Sequence, residues 1–184
     1  ATAFKLIRER CAVISGTADS TIIHDEGWHF LILGRSLERA DMTARLIQSA
    51  SITSGSQSAW NNVLRGCGAH HAFVRTYGGV TTDRDAAEFL LLDRLFPRSL
   101  VHTLTAAEQA LSELGQDYLK AGLLDRAEEI FIKLRGTERD EEALKSLLEI
   151  YQQEKEWAKA ISVAEAMPNH SDHLWQKEIA EFRC

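Results

Sequence analysis

The C-terminal part of the chain repeats itself with a spacing of 33 residues. Each unit has the spacing of a helix, a short turn and a second helix, with apolar or small residues at the repeated positions. The first unit carries Leu114, Tyr118, Leu124, Ala127, Ile130 and Leu134, and the second carries Leu147, Tyr151, Trp157, Ala160, Val163 and Met167. One helical hairpin cannot bury its apolar face alone, so this period predicts stacked hairpins.

The first unit follows the spacing of the tetratricopeptide repeat (TPR), whose period is about 34 residues. It has Gly115 and Phe131 at two positions of that pattern, where the second unit has Leu148 and Ala164. We therefore predict about two TPR-like units in residues 114–184, with a final helix from about Ser171 to Cys184. An ordinary helical bundle with a chance register is the alternative.

Helical spacing also dominates residues 1–113. Asp25 is placed to cap a long helix, whose apolar stripe is Phe30, Leu33, Leu37, Ala40, Ala44 and Ile47. Further helices are predicted from about Ser58 to Tyr77, from near Asp83 to Leu95, and from Pro97 to about Ala121. No alternating strand pattern occurs in the sequence. The predicted fold is all-α: a helical bundle (1–113) and TPR-like antiparallel hairpins (114–184), joined through a helix near 98–121.

Composition narrows the class of protein. The chain has 21 basic and 27 acidic residues, a net charge of −6, which does not attract nucleic-acid phosphates. No apolar run approaches the roughly 18 residues of a membrane span. The 3 cysteines form no CxxC pair, and no phosphate-binding glycine motif occurs. We expect a cytoplasmic protein without cofactor, metal, nucleic-acid partner or membrane span.

The repeat predicts one candidate binding surface. In a TPR, the first helix of each unit lines a concave face, and long polar side chains there suit an extended peptide or a helix. The predicted partner-binding residues are Ser112, Gln116, Leu119, Lys120, Lys145, Glu149, Gln152 and Gln153. A plain solvated surface is the alternative. Because two repeats leave their ends uncovered, a second copy of the chain is also a candidate partner.

A second candidate surface lies opposite the apolar stripe of the long helix. Arg35, Glu38 and Arg45 could form a groove for an anion or a peptide, since arginine contacts carboxylate and phosphate in a bidentate manner. The alternative is a solvated face with ion pairs, of which Asp41 with Arg45 is one.

The histidines and cysteines of the sequence do not predict a catalytic or metal site. His70 and His71 are adjacent on a helix, about 100° apart, and do not converge on a metal. Cys67 and His70 could form a nucleophilic pair, but no third group orients them, and Gly66 and Gly68 more simply permit a close helix crossing. Cys11 is expected to be at least half buried.

Residues 114–184 resemble the repeats of the lipopolysaccharide assembly protein B family. The resemblance is carried by LGQDYLKAGLLDRAEEIF (114–131), LLEIYQQEKEWAKAISVAE (147–165) and KEIAEF (177–182). It implies a bacterial TPR adaptor that hands an enzyme of lipid A synthesis to a protease of the inner membrane. The anchor and the paired CxxC motifs of that family are not found in this sequence.

Residues 1–113 are similar to the bacterial alpha-E family. The similarity is carried by DEGWHFLILGRSLERADMTARLI (25–47), LRGCGAHHAFVRTYG (64–78) and FLLLDRLFPRSL (89–100). It implies a helical protein with an accessory role, or a role as an enzyme subunit, in peptide modification.

Three functions stay open from the sequence. The leading prediction is a non-enzymatic adaptor, linked to control of lipopolysaccharide assembly and recruited to the inner membrane by its partner. The alpha-E-type accessory role is the second. The third is an engineered hybrid without a natural function, because the two resemblances meet inside one continuous helical pattern.

Overall fold

The computed structural model describes residues 2–52, 57–78 and 82–167. These ranges form α-helices and contain no strand, which confirms the predicted all-α class. The helices are α1 (Thr2–Thr21), α2 (Glu26–Ile52), α3 (Gln57–Gly66), α4 (His70–Tyr77), α5 (Asp83–Leu92), α6 (Leu100–Lys120), α7 (Leu124–Leu134), α8 (Asp140–Gln153) and α9 (Trp157–Ala166). The predicted final helix lies outside the described residues.

Helix α2 starts as predicted, but its buried face is shifted from the predicted one. The carboxylate of Asp25 caps it by accepting hydrogen bonds from the backbone N–H groups of Gly27 (3.0 Å) and Trp28 (3.3 Å). Of the predicted apolar stripe, Ala40 is buried and Leu33 and Ile47 are partly buried, whereas Phe30 and Leu37 are half exposed. The other buried residues of α2 are His29, Ser36, Thr43 and Ala50. The prediction was therefore wrong for part of the stripe, because helix α6 packs closely against small and polar residues of α2.

The single helix predicted from Ser58 to Tyr77 is two helices. Helix α3 ends in a Schellman motif, in which Gly68 takes a φ of +66° and the N–H of Ala69 bonds to the carbonyl of Leu64 at 2.7 Å. A Cβ added at Gly66 would meet only Leu46, at 4.0 Å. The glycines therefore end a helix and do not serve a close helix crossing.

The predicted helix boundaries around Pro97 also change. Helix α5 ends at Leu92, and Leu95, predicted to lie within this helix, follows its end and is exposed. Ser99 caps α6, because its hydroxyl accepts from the N–H of His102 at 3.1 Å and donates to the carbonyl of Asp93. A capping side chain satisfies a free helix N–H, which a proline at the first turn does not do.

Helices α2 and α6 run antiparallel and form the most extensive helix contact of the described chain. The start of α2 meets the end of α6, where the Tyr118 hydroxyl donates to Glu26 at 2.6 Å. Further along α2, Thr43 donates to the carbonyl of Arg98, just before α6, at 3.1 Å. One apolar cluster lies among α2, α3, α4 and α5, and a larger one among α6, α7, α8 and α9. Helix α1 lies apart, joined to α2 by the Asp19–Arg35 ion pair at 2.6 Å.

The repeated residues occupy equivalent places in α6–α7 and α8–α9. All are buried except Leu124, which is partly buried, and Trp157, which is 44 % exposed. Tyr151 donates to Glu128 of α7 at 2.7 Å, as Tyr118 does to Glu26 of α2. Arg126 and Lys159, 33 residues apart, lie over these two tyrosine rings. Helix α2 therefore packs on α6 as α7 packs on α8.

Candidate functional site

The predicted partner-binding residues lie on α6 and α8, and polar residues of these two helices meet along a seam. These helices run side by side and parallel, because hydrogen bonds cross the seam at a constant spacing of 30 residues. Ser112 donates to Glu142 at 2.8 Å, and Gln116 donates to Ser146 at 2.8 Å. Arg139 donates to Gln109 in the same register. Polar groups thus fix α6 against α8.

The structure exposes some of the predicted residues and buries others. Ser112 and Leu119 are buried: Ser112 bonds across the seam, and Leu119 belongs to the core. Gln116 and Gln152 are half buried. The exposed residues are Lys120, Lys145, Glu149 and Gln153. Three pairs link neighbouring turns: Lys120–Asp117 (3.6 Å), Lys145–Glu141 (2.6 Å) and Gln153–Glu149 (3.3 Å).

Two shallow cavities follow this seam and share Glu142. The first, of about 470 Å³, is lined by Thr105, Glu108, Glu138, Arg139, Glu141, Glu142 and Lys145. The second, of about 420 Å³, is lined by His24, His29, Ser112, Glu113, Gln116, Asp117, Lys120 and Glu142. Carboxylates outnumber cationic side chains in both. We call this surface the acidic face.

The cations of the acidic face are already engaged by its own carboxylates. Arg139 lies 2.7 Å from Glu142, in addition to the Lys120 and Lys145 pairs given above. Glu108 has no ion-pair partner in the part of the chain that the structure describes. The surface therefore presents excess negative charge, which suits a positively charged partner.

His29 lies between two carboxylates at one end of the acidic face. Its ring is almost fully buried, with Nδ1 3.2 Å from Glu113 Oε2 and Nε2 3.3 Å from Asp117 Oδ2. The Nδ1 contact lacks hydrogen-bond geometry. No sequence signal could have found this arrangement, because His29 is on α2 and both carboxylates are on α6. Its geometric effect is to join the start of α2 to the end of α6.

The second predicted surface is only partly assembled. Arg35 and Glu38 line one cleft, of about 480 Å³, beside α2. Arg45 does not line it, because its guanidinium pairs with Asp41 at 2.7 Å on an exposed part of the helix. The Asp41–Arg45 pair was predicted. The other guanidiniums of the cleft, from Arg39 and Arg98, were missed, since only the tertiary fold brings Arg98 to α2.

Cys67 does not have the environment of a nucleophile. It is buried, and burial raises the pKa of its thiol despite the opposing effects of Arg98 and a Thr43 hydrogen bond. A raised pKa keeps the thiol protonated at neutral pH, and the thiolate is the reactive form. His70 is half buried and His71 exposed, with their rings perpendicular. Cys11, expected to be at least half buried, is exposed because α1 lies apart.

Residues 2–52, 57–78 and 82–167 contain no group of three histidine, cysteine or acidic side chains that could hold a metal ion. Within the same ranges, no helix combines the length and the apolar character needed to cross a lipid bilayer.

The fold and its sites define an all-helical protein with an acidic face and a separate arginine-lined cleft. The chain belongs to the Alpha-E family: the family model, described as a predicted alpha-helical domain with a conserved ER motif, matches residues 2–175. One model thus spans both segments distinguished in the sequence. Glu-Arg occurs at Glu9-Arg10, Glu38-Arg39 and Glu138-Arg139, and the second of these pairs lines the arginine cleft.

Individual relatives match shorter stretches. Lipopolysaccharide assembly protein B of Escherichia coli K12 is 46% identical over 76 residues, or 41% of this chain and 20% of the relative. The Haemophilus influenzae protein of the same name is 38% identical over 76 residues. An uncharacterised protein of Mycobacterium tuberculosis H37Rv is 28% identical over 105 residues, or 55% of this chain and 12% of that protein.

The matched part is a fifth or less of the length of these relatives. No solved structure matches the chain significantly.

Proposed function

We propose that this protein is a non-enzymatic helical adaptor whose acidic face binds a basic segment of a protein partner. The single observation that carries the proposal is the excess of carboxylates along the α6–α8 seam, where the few cations are already paired. A basic helix or extended peptide would supply the missing positive charge.

The rigidity of the face supports the same proposal. The hydrogen bonds across the seam hold α6 and α8 in register, so the carboxylates are positioned before a partner arrives. A pre-organised surface loses less conformational entropy on binding. Complementary charge would accelerate the encounter and make binding weaker at high salt.

The relatives support a role in assembly. The matched relatives of E. coli and H. influenzae are named as lipopolysaccharide assembly proteins. By extension, we propose a bacterial cytoplasmic adaptor in the control of lipopolysaccharide assembly, recruited to the inner membrane by its partner. The TPR-like nature of the two hairpins is part of the same proposal, and it is supported by the equivalent Tyr118 and Tyr151 contacts.

The test is affinity capture from a Gram-negative lysate with three forms of the full chain. The face variant carries Glu108→Gln, Glu113→Gln and Glu141→Gln. The control variant carries Asp125→Asn, Glu129→Gln and Glu154→Gln, which remove the same charge from exposed positions outside the acidic face. We expect one partner with a basic segment to be captured by the wild type and the control, and to be lost with the face variant.

Removing positive charges from the acidic face gives a second test of the proposed surface. Lys120→Ala with Lys145→Ala makes the face more acidic, so binding should become tighter. Retention of the partner by the face variant would contradict the proposed surface. Failure of every form to capture a partner, while each remains folded, would favour the hybrid alternative.

A further inference from the structure

The arginine-lined cleft is separate from the acidic face and has the opposite charge. Its walls come from α1, α2, the α3–α4 turn and the residues before α6, and the full lining is Ser15, Gly34, Arg35, Glu38, Arg39, Met42, Thr43, Leu46, Gly66, Cys67 and Arg98. We call this surface the arginine cleft. Its volume of about 480 Å³ is that of a small-molecule site.

Three guanidiniums line the arginine cleft, and two of them lack an acidic partner. Arg35 pairs with Asp19 at 2.6 Å. Neither Arg39 nor Arg98 forms an ion pair with any residue that the structure describes. Glu38 is the one carboxylate in the lining. Positive charge is therefore in excess in a cleft where Arg35 and Arg39 are half buried and Arg98 is exposed.

The pKa of Arg39 reflects this excess of positive charge. Burial lowers the pKa of Arg39, and repulsion from Arg98 and Arg35 lowers it further, against a smaller opposing effect of Asp19. Bringing like charges together in a partly buried place costs free energy unless an anion neutralises them. An arrangement of this kind is stabilised when an anion binds.

Hydrogen bonds position the Arg39 side chain and the backbone of Arg98. One Arg39 nitrogen, Nη1, donates to the carbonyl of Pro97 at 3.2 Å. The backbone of Arg98 is fixed to α2, because the buried Thr43 hydroxyl donates to its carbonyl at 3.1 Å. Among the described residues, the remaining guanidinium N–H groups of Arg39 and Arg98 form no hydrogen bond, so they can make bidentate contacts with two oxygens of one group.

We propose that the arginine cleft binds a small organic anion through its oxyanion group, a carboxylate or a phosphate. Arg39 and Arg98 contact the anionic oxygens, and Arg35, which pairs with Asp19, lines the same cleft. Met42 and Leu46 provide an apolar wall for the organic part of the ligand. This site is independent of the adaptor function proposed above.

The experiment is a titration of the full chain, followed by amide NMR shifts, with inorganic phosphate, phenyl phosphate and benzoate as separate probes. Ionic strength is held constant with sodium chloride. Saturable shifts at residues of the arginine cleft are expected, with phenyl phosphate binding more tightly than inorganic phosphate because of the apolar wall. The ratio of phenyl phosphate to benzoate affinity distinguishes a phosphate ligand from a carboxylate ligand.

Two variants and one matched control identify the arginines that bind the anion. Arg98→Gln and Arg39→Gln should each weaken binding of the preferred probe at least tenfold. Arg45→Gln removes the same charge from α2 outside the cleft, and binding should stay within twofold of wild type. Arg98 is exposed, so the Arg98→Gln variant remains informative if Arg39→Gln, which loses the Pro97 contact, does not fold.

Non-saturating shifts with all three probes would overturn the proposal. So would equal weakening by Arg45→Gln and Arg98→Gln, since that result would indicate general charge attraction to α2. Loss of probe binding in Arg98→Gln together with intact partner capture would support two independent sites.

Discussion

Lys155 adopts a backbone conformation that side-chain-bearing residues rarely take. It follows helix α8 with a φ of 59°, and it stands 33 residues after Gly122, which follows α6 with a φ of 73°. The same pair of capping hydrogen bonds is formed at both places: Gly122 to Leu119 and Leu123 to Tyr118, then Lys155 to Gln152 and Glu156 to Tyr151. The repeat thus preserves a Schellman motif but not the glycine that fits it.

Replacing this lysine should stabilise the protein. We expect Lys155→Gly to raise the free energy of unfolding by about 1 kcal/mol, because glycine relieves the steric cost of a positive φ. Gly122→Ala should lower it by about 1 kcal/mol for the converse reason. Urea unfolding measures both. The control is Glu154→Gly, at a right-handed position (φ −80°), where glycine should destabilise.

The raised pKa of Tyr151 predicts that the protein loses stability at high pH. Burial and its hydrogen bond to Glu128 raise the pKa of Tyr151 from about 10 to about 12. The folded state disfavours the phenolate form of Tyr151. The contribution of protonated Tyr151 to the free energy of unfolding is therefore complete below pH 10, and it is lost as the pH rises through 12. For one proton, the slope is at most about 1.4 kcal/mol per pH unit.

The measurement is the free energy of unfolding by urea between pH 9 and 12. Tyr151→Phe should lose less stability than wild type over this interval, although it is less stable at neutral pH because the Glu128 contact is gone. If the free energy of unfolding fell equally with pH in the wild type and in Tyr151→Phe, the pH dependence could not be assigned to Tyr151.

At the scale of helical elements, each hairpin packs a small residue of one helix against a large residue of the other. The helix that carries the small residue differs between the two hairpins. In α6–α7, an added Cβ on Gly115 would come within 2.8 Å of Phe131 and 3.1 Å of Ile130. In α8–α9 the equivalent pair is Leu148 with Ala164, both buried. A small residue on one helix therefore accommodates a large one on its partner, in opposite order in the two units.

Changing one side of this pair should destabilise the first hairpin. We expect Gly115→Ala to lower the free energy of unfolding by about 1–3 kcal/mol, because the new methyl group overpacks against Phe131. Gly115→Leu should cost more, and combining it with Phe131→Ala should recover part of the loss. The coupling free energy from this double-mutant cycle should be about 1–3 kcal/mol. Additive effects would show that the two residues do not interact.

At the scale of the whole molecule, helix α6 belongs to both halves of the chain. It packs with α2 and α5, and Leu114 and Tyr118 in its last part belong to the core shared with α7 and α8. The predicted domain boundary at 113/114 therefore falls inside one continuous helix. The contacts of His29 and Glu26 with Asp117 and Tyr118 cross that boundary.

Fragments should reveal where the structural boundary lies. A fragment of residues 1–122 keeps all of α6 and the cap at Gly122, whereas 1–113 loses the residues that hold the start of α2. We expect the 1–122 fragment to have a higher mean helicity by circular dichroism and a higher Tm. Equal Tm values would show that the end of α6 contributes nothing to the N-terminal half.

The sequence by itself determined the all-α class, the cap at Asp25, the end of α6 near Gly122 and most of the buried positions of the repeat. These features follow from local spacing and from residues that act on their own helix. Tertiary structure decided the rest. It chose the buried face of α2, buried Ser112 and Leu119 beneath the acidic face, and brought Arg98 to Arg39 and two carboxylates to His29. Such contacts join residues that are far apart in the chain, and helical periodicity carries no information about which distant face will pack against which.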